Sequence, residues 1–264
     1  MSETPDRPRI AVLVKQVVDV NAIETDRASH RAIPGGPMVM NTYDAYSIGE
    51  AVTLKETHAA HVTVICAGPD SAREVLLRGL ATGADAAIHI VLPDNNAVDT
   101  LVLAEMLGMV LEERAFDLIL AGQAADDYET GQVPSQLAEL LGIPHVSLVT
   151  HIEIESDGLR VWRDAEASKE IMRCPVPAVL MVLSGRDGPQ HHPTLRGMMA
   201  AKRKPIERVE APDPERARRL SWSEPVVPEK VFAGIIVQDE PADVAAAALV
   251  DWLEEHKLIA RREP

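Results

Sequence analysis

Apolar residues in this chain gather in short unbroken runs, separated by stretches where they recur at helical spacing. Residues 10–14 (Ile-Ala-Val-Leu-Val) form the first run, and others fall at residues 61–67, 86–92, 117–121 and 178–183. Runs this short, without polar alternation, suit strands buried on both faces of a parallel sheet. Between them, residues 41–56, 71–81, 98–114 and 132–141 carry helical periodicity; Val133, Leu137, Leu140 and Leu141 stand at i, i+4, i+7 and i+8. Strand and helix therefore alternate through the first ~140 residues, which predicts a parallel sheet with right-handed crossovers. The connection at residues 16–40 shows no such pattern and is long enough to be functional or covered by a partner.

After Pro144 the rhythm changes. Residues 146–155, 158–163 and 168–173 read as strands joined by tight turns such as Ser156-Asp157-Gly158, an antiparallel ribbon at the sheet edge. A polar loop over residues 184–193 precedes a predicted helix at 194–204, which carries Leu195, Met198 and Met199 beside Lys202. Residues 207–228 are rich in proline and charge and read as an extended linker. A short apolar run, 231–237, and a helix over 242–255 close the chain. The pattern as a whole predicts an α/β fold with a doubly wound, mostly parallel, Rossmann-like sheet and an antiparallel edge ribbon in residues 1–208. Residues 209–264 form an extended C-terminal arm, too small to build a core and expected to dock elsewhere.

Composition narrows the partners. Aromatics are 3% of the 264 residues, too few for a base-stacking platform, and the net charge of −15 has the wrong sign for nucleic acid. No apolar run reaches the length that spans a bilayer, and residues 1–8 lack an apolar signal core, so a cytoplasmic protein without membrane insertion is expected. Cys66 and Cys174 lie far apart inside apolar runs and read as buried thiols.

The candidate chemistry centres on residues 122–132: Gly122, Gln123, Ala124, Ala125, Asp126, Asp127, Tyr128, Glu129, Thr130, Gly131 and Gln132. This small-residue loop leaves the fourth buried strand and enters a helix, the place where open parallel sheets bind ligands. Thr130 stands at the expected N-cap, and free N–H groups at a helix start favour an anion such as phosphate. The same loop also reads as a solvated turn with capping chemistry. Three strand ends, at Lys15, Ala67 and Ala121, should share one rim with the helix start at Asn41. A nucleotide there would touch Leu13, Asn41, Thr42, Tyr43, Asp44, Ala67, Gly68 and the loop. No Gly-x-Ser-x-Gly elbow, phosphate-binding Gly-Lys-Ser/Thr loop or His-Glu-x-x-His pair is present, and the nine histidines do not cluster. No catalytic set and no metal site are expected; the carboxylates of Asp126, Asp127 and Glu129 suit ribose and backbone contacts.

Several stretches in register resemble one family. They are Val-Leu-Val-Lys-Gln-Val-Val-Asp at 12–19, Asn-Thr-Tyr-Asp at 41–44, Glu-Ala-Val-Thr-Leu-Lys-Glu at 50–56, Ala-Gly-Pro at 67–69 and Gly-Ala-Asp at 83–85. The central loop and Thr-Leu-Arg-Gly-Met-Met-Ala-Ala-Lys at 194–202 complete the set. Together they are similar to the β subunit of electron transfer flavoprotein, whose fold is like that of the adenine nucleotide α-hydrolases. The resemblance implies a heterodimer with an α subunit, FAD held mainly by α at the interface, and AMP buried on β as a structural ligand. Carried over by position, the AMP contacts fall on the rim residues named above. It also implies a partner-recognition segment at Leu195, Met198, Met199 and Lys202 for flavoprotein dehydrogenases, and an arm that docks on α. An electron-carrier subunit, not an enzyme, is the reading that follows.

Departures leave an alternative open. Thr42 and Val18 replace prolines usual in the family, and Val20 replaces a tyrosine found beside the flavin in some members. The central loop is closer to the shorter length of the nitrogen-fixation and bifurcating types, and in bifurcating members a second FAD replaces AMP and reacts with NADH. A segment typical of bifurcating members is absent between Asp26 and Pro34, which favours AMP. A stand-alone adenine-nucleotide-binding module would need a Ser-Gly-Gly-type loop after the first strand, and Lys15-Gln-Val-Val-Asp19 is not one.

Overall fold

A computed structural model describes residues 7–26, 28–29, 31–33, 35–93, 98–184, 191–211, 220 and 235–260. The chain opens with β1 (Arg9–Leu13), β2 (Gln16–Val18), β3 (Glu24–Asp26), β4 (Arg31–Ile33) and β5 (Met38–Met40). Helix α1 (Thr42–His58) leads to β6 (His61–Gly68), α2 (Arg73–Thr82) to β7 (Ala86–Val91), and α3 (Thr100–Glu112) to β8 (Leu118–Gly122). After α4 (Gln132–Leu141) come β9 (His145–Glu155), β10 (Gly158–Ala165), β11 (Ser168–Cys174) and β12 (Ala178–Val182). The last elements are α5 (Leu195–Ala201), β13 (Ile206–Glu210) and α6 (Ala242–Glu255).

The main sheet has nine strands in the order β11-β10-β9-β12-β8-β1-β6-β7-β13. Every neighbouring pair from β9 across to β13 is parallel; β10 pairs antiparallel with both β9 and β11. Side chains of β1 and of Val14 just after it alternate between two apolar layers. Ile10, Val12 and Val14 pack with α1 and α2, and Ala11 and Leu13 pack with α3 and α4. Burial on both faces is why the strands read as unbroken apolar runs. From β1 the chain winds outward to β6 and β7, then crosses back to β8 on the other side of β1. The reversal makes β1 and β8 the switch point, where an open sheet has its crevice.

Several expectations are corrected. Residues 16–40 are not one plain loop: β2 pairs with β5, and β3 with β4, each as a small antiparallel ribbon. The first strand of the expected edge ribbon, β9, belongs to the parallel sheet through β12, and its pairing shifts near Leu148, whose φ is 61°. The linker expected from residue 207 begins instead as β13, which runs past 208 to Glu210 and pairs in parallel with β7. Its Ile-Glu-Arg-Val-Glu sequence hides it, because at the sheet edge only Ile206 and Val209 are partly buried, one on each core layer, while Glu207, Arg208 and Glu210 stay exposed. Glu50 on α1 is buried, with a carboxylate oxygen 3.8 Å from His151 Nδ1. Most of the expected loop at 184–193 and linker at 207–228, and the start of the apolar run at 231–237, lie outside the described residues; Ile235, Ile236 and Val237 are exposed. Both cysteines are buried and unbridged. No helix among the described residues is long and apolar enough to cross a membrane.

Candidate functional site

The carboxyl ends of β1, β6 and β8 open into one cleft with a cavity volume of about 160 Å³. Its floor is apolar: Leu13, Val14, Ile65, Leu103, Leu107 and Ala121. Its rim is polar, with Asn41, Thr100, Thr130 and Gln132 among the lining residues. The starts of α3 and α4 face each other across it, and the Thr100 hydroxyl donates to Gln132 Oε1 at 3.0 Å.

Asp44 pins the rim. Its carboxylate accepts the Lys15 N–H at 2.7 Å and the Gly122 N–H at 3.1 Å, tying the chain just after β1 to the last residue of β8. Burial pushes the Asp44 carboxyl up to about 7; hydrogen bonds from Asn41, Lys15 and Gly122 and the charge of Lys15 oppose this without overcoming it. Only glycine fits at 122, because a Cβ there would collide with the Asp44 carboxylate and lie 2.7 Å from Tyr43 Cβ.

Asn41 holds the loop that follows. Although it occupies the N-cap position of α1, its side chain makes no capping bond. Its Nδ2 donates to the Ala124 carbonyl at 2.8 Å and its Oδ1 accepts the Asp126 N–H at 3.0 Å. Asp126 returns the contact by accepting the Thr42 N–H at 2.9 Å. Gln123 faces the other way, donating its N–H to the Val182 carbonyl and accepting the Leu148 N–H at 2.6 Å through Oε1. Lys15 Nζ contacts both carboxylate oxygens of Asp127, at 2.8 and 2.6 Å, and lies 5.2 Å from the centre of the Tyr128 ring.

The structure therefore divides the expected contact residues. Leu13, Asn41, Asp44, Ala67 and Gly122 line the cleft, as do Ala124, Ala125, Tyr128, Thr130, Gly131 and Gln132. Thr42, Tyr43, Gly68, Gln123, Asp126, Asp127 and Glu129 do not line it. The first of these groups presents surface to a ligand; in the second, Thr42, Gln123, Asp126 and Asp127 engage the protein itself. The carboxylates of Asp126 and Asp127 accept from different elements, so they are not gathered at one point. Thr130 is not the N-cap of α4. Gly131 is, in the left-handed region at φ 59° and with no side-chain capping bond, and a Cβ there would lie 2.9 Å from the Gln123 carbonyl. Thus the helix start presents backbone N–H groups that no side chain caps. The far wall, Val98, Asp99, Thr100, Leu103, Val133 and Pro134, was missed in the sequence reading. Asp99 before Thr100 is an N-cap signal, and Asp99 does accept the Val102 N–H at 2.9 Å.

Leu195, Met198, Met199 and Lys202 are not brought to the cleft. They sit on or just after α5, which packs on α2 through Gly197; a Cβ there would strike the Ala81 carbonyl. The Thr194 hydroxyl caps α5 by accepting the Gly197 N–H at 2.9 Å. Leu195 is 73% exposed and Met199 59% exposed, while Ala201 is buried.

The cleft thus combines an apolar floor, a polar rim and a helix start whose N-cap makes no side-chain capping bond. The profile of the electron transfer flavoprotein domain matches residues 32–214. Electron transfer flavoprotein subunit beta of Bacillus subtilis is 33% identical over 257 residues, covering 94% of this chain and 98% of that one. Subunit beta of Syntrophomonas wolfei is 33% identical over 248 residues, covering 93% and 96%. The caffeyl-CoA reductase-Etf complex subunit CarD of Acetobacterium woodii is 33% identical over 201 residues, covering 75% and 76%.

Proposed function

The chain belongs to the electron transfer flavoprotein family, among its β subunits, and from that membership we propose that it binds AMP as a structural ligand and carries electrons as half of a heterodimer. The partner α subunit holds FAD at the shared interface, and that flavin supplies the redox chemistry. This chain holds AMP, shapes the interface and presents a docking face; it is an electron carrier, not an enzyme.

The observation that carries the reading is the convergence of three strand ends and two helix starts on one cleft at the sheet's switch point. Leu13, Val14, Ile65 and Leu103 would flank the base. Asn41 and Thr100 would meet hydroxyls, and the start of α4 would receive the phosphate. Leu195, Met198 and Met199, exposed beside Lys202, suit transient docking of flavoprotein dehydrogenases, since methionine adapts to more than one partner surface. The arm supports the heterodimer: no residue of α6 is buried, and Leu249, Val250 and Trp252 are exposed. Such a face needs a partner, and the α subunit is the one proposed.

The test is to purify the chain with its native partner, denature the complex and identify the nucleotides released. One AMP per chain with one FAD per heterodimer is expected. Two FAD per heterodimer and no AMP would instead assign the bifurcating, NADH-oxidising role, and a chain without any nucleotide or partner would contradict the proposal.

A further inference from the structure

Lys15 is the only cationic side chain among the described residues that line the cleft. The other charged lining groups, Asp44 and Asp99, are acidic, and Asp126, Asp127 and Glu129 stand on the adjoining loop of a chain with net charge −15. A phosphate monoester brings roughly −1.5 to −2 charges at neutral pH. The uncapped start of α4 offers partial positive charge to offset it, and Lys15 offers the one full charge. Yet Lys15 Nζ is paired with both oxygens of Asp127, at 2.8 and 2.6 Å, across the cleft mouth. That pair is accessible, with side-chain exposures of 31% and 21%, so it can exchange partners at small cost.

Building on the nucleotide reading above, we propose that Lys15 is the phosphate-reading cation of this cleft and that Asp127 competes with the ligand for it. The Lys15 ammonium leaves Asp127 for the phosphate, and the cleft thereby prefers a nucleotide to its nucleoside. Asp127, in this account, is the counter-ion that sets how much phosphate affinity the exchange returns. Lys15 suits such exchange because its backbone is fixed while its side chain reaches outward. The Lys15 N–H donates to Asp44 and its carbonyl accepts the Asn41 N–H at 3.0 Å, contacts that survive a change of side chain. A latch that merely orders the loop would look similar in the structure but would serve nucleoside and nucleotide alike.

The experiment is calorimetric titration of the full chain with AMP and with adenosine, at low and high salt, in the original protein and in Lys15→Met, Lys15→Arg and Asp127→Asn. Lys15→Met should weaken AMP about tenfold or more, the scale of a lost charge-assisted hydrogen bond, and leave adenosine within about twofold. Lys15→Arg should restore most of the AMP affinity. Asp127→Asn keeps the oxygen that accepts the Tyr128 N–H and should tighten AMP several-fold at low salt, with the gain shrinking as salt screens it. Lys15→Met binding AMP as the original does, or Asp127→Asn weakening AMP and adenosine in parallel, would overturn the exchange while leaving the nucleotide reading intact. An original chain that binds neither ligand would remove both.

Discussion

A carboxyl buried at the meeting point of two strands, accepting backbone N–H groups from each, responds to pH in a definite direction. Asp44 in the folded chain titrates near 7, against 3.8 for an unperturbed group, chiefly because burial disfavours its charge. Between those values the folded chain holds a proton that the unfolded chain has released. Its contribution to stability is therefore full below 3.8, declines as pH rises and is gone above about 7. The slope approaches about 1.4 kcal/mol per pH unit inside the window. Asp70 and Asp85 shift the other way, so their contributions are lost at acid pH, below the Asp44 window. Urea unfolding followed from roughly pH 4.5 to pH 8 should show this slope in the original protein and its absence in Asp44→Asn. Equal slopes in the two proteins would show that Asp44 does not titrate as described. Asp44→Asn also leaves one of the two N–H donors without its acceptor, so its loss of stability should be largest near pH 4.5 and narrow toward pH 8.

At the scale of elements, the strands most visible in sequence are those covered on both faces. β1, β6, β7, β8 and β12 show as apolar runs because α1 and α2 bury one side and α3 and α4 the other. β13 escaped because it sits at the edge with charged residues at three of its five positions, Glu207, Arg208 and Glu210, and the ribbons of β2 to β5 escaped because three-residue strands have no measurable period. The near wall of the cleft was legible from strand ends and loop composition. The far wall was not, because α3 follows β7 in sequence but lies beside α4 after the chain crosses back to β8. No local pattern encodes that juxtaposition. Helix α5 poses a different question: Thr194 and Gly197 fix how it sits on α2, while Leu195 projects outward. Leu195→Ala should change folding stability by less than about 0.5 kcal/mol, as at other exposed sites. If this face docks dehydrogenases, stopped-flow reduction of the assembled flavoprotein should slow in that variant with flavin content unchanged; equal rates would remove Leu195 from the docking role.

For the whole molecule, the organising fact is where the winding reverses. A sheet that grew in one direction from β1 would offer only shallow gaps between its loops. Because β6 and β8 flank β1 and their helices cover opposite faces, the connections leave the rim in opposite directions and a crevice opens between them. Asp44 and Asn41 keep that crevice in shape by tying strand ends and loop to the start of α1. Neither α6 nor the exposed face of α5 lines the cleft. Hydrogen–deuterium exchange on the full chain, with and without AMP, tests that account most directly. AMP should slow exchange at residues 41–44, at 98–103 where α3 begins, and along 122–133, while α6 stays unchanged. AMP that binds without slowing exchange at those three segments, or that protects a different surface, would contradict a nucleotide cleft at the switch point.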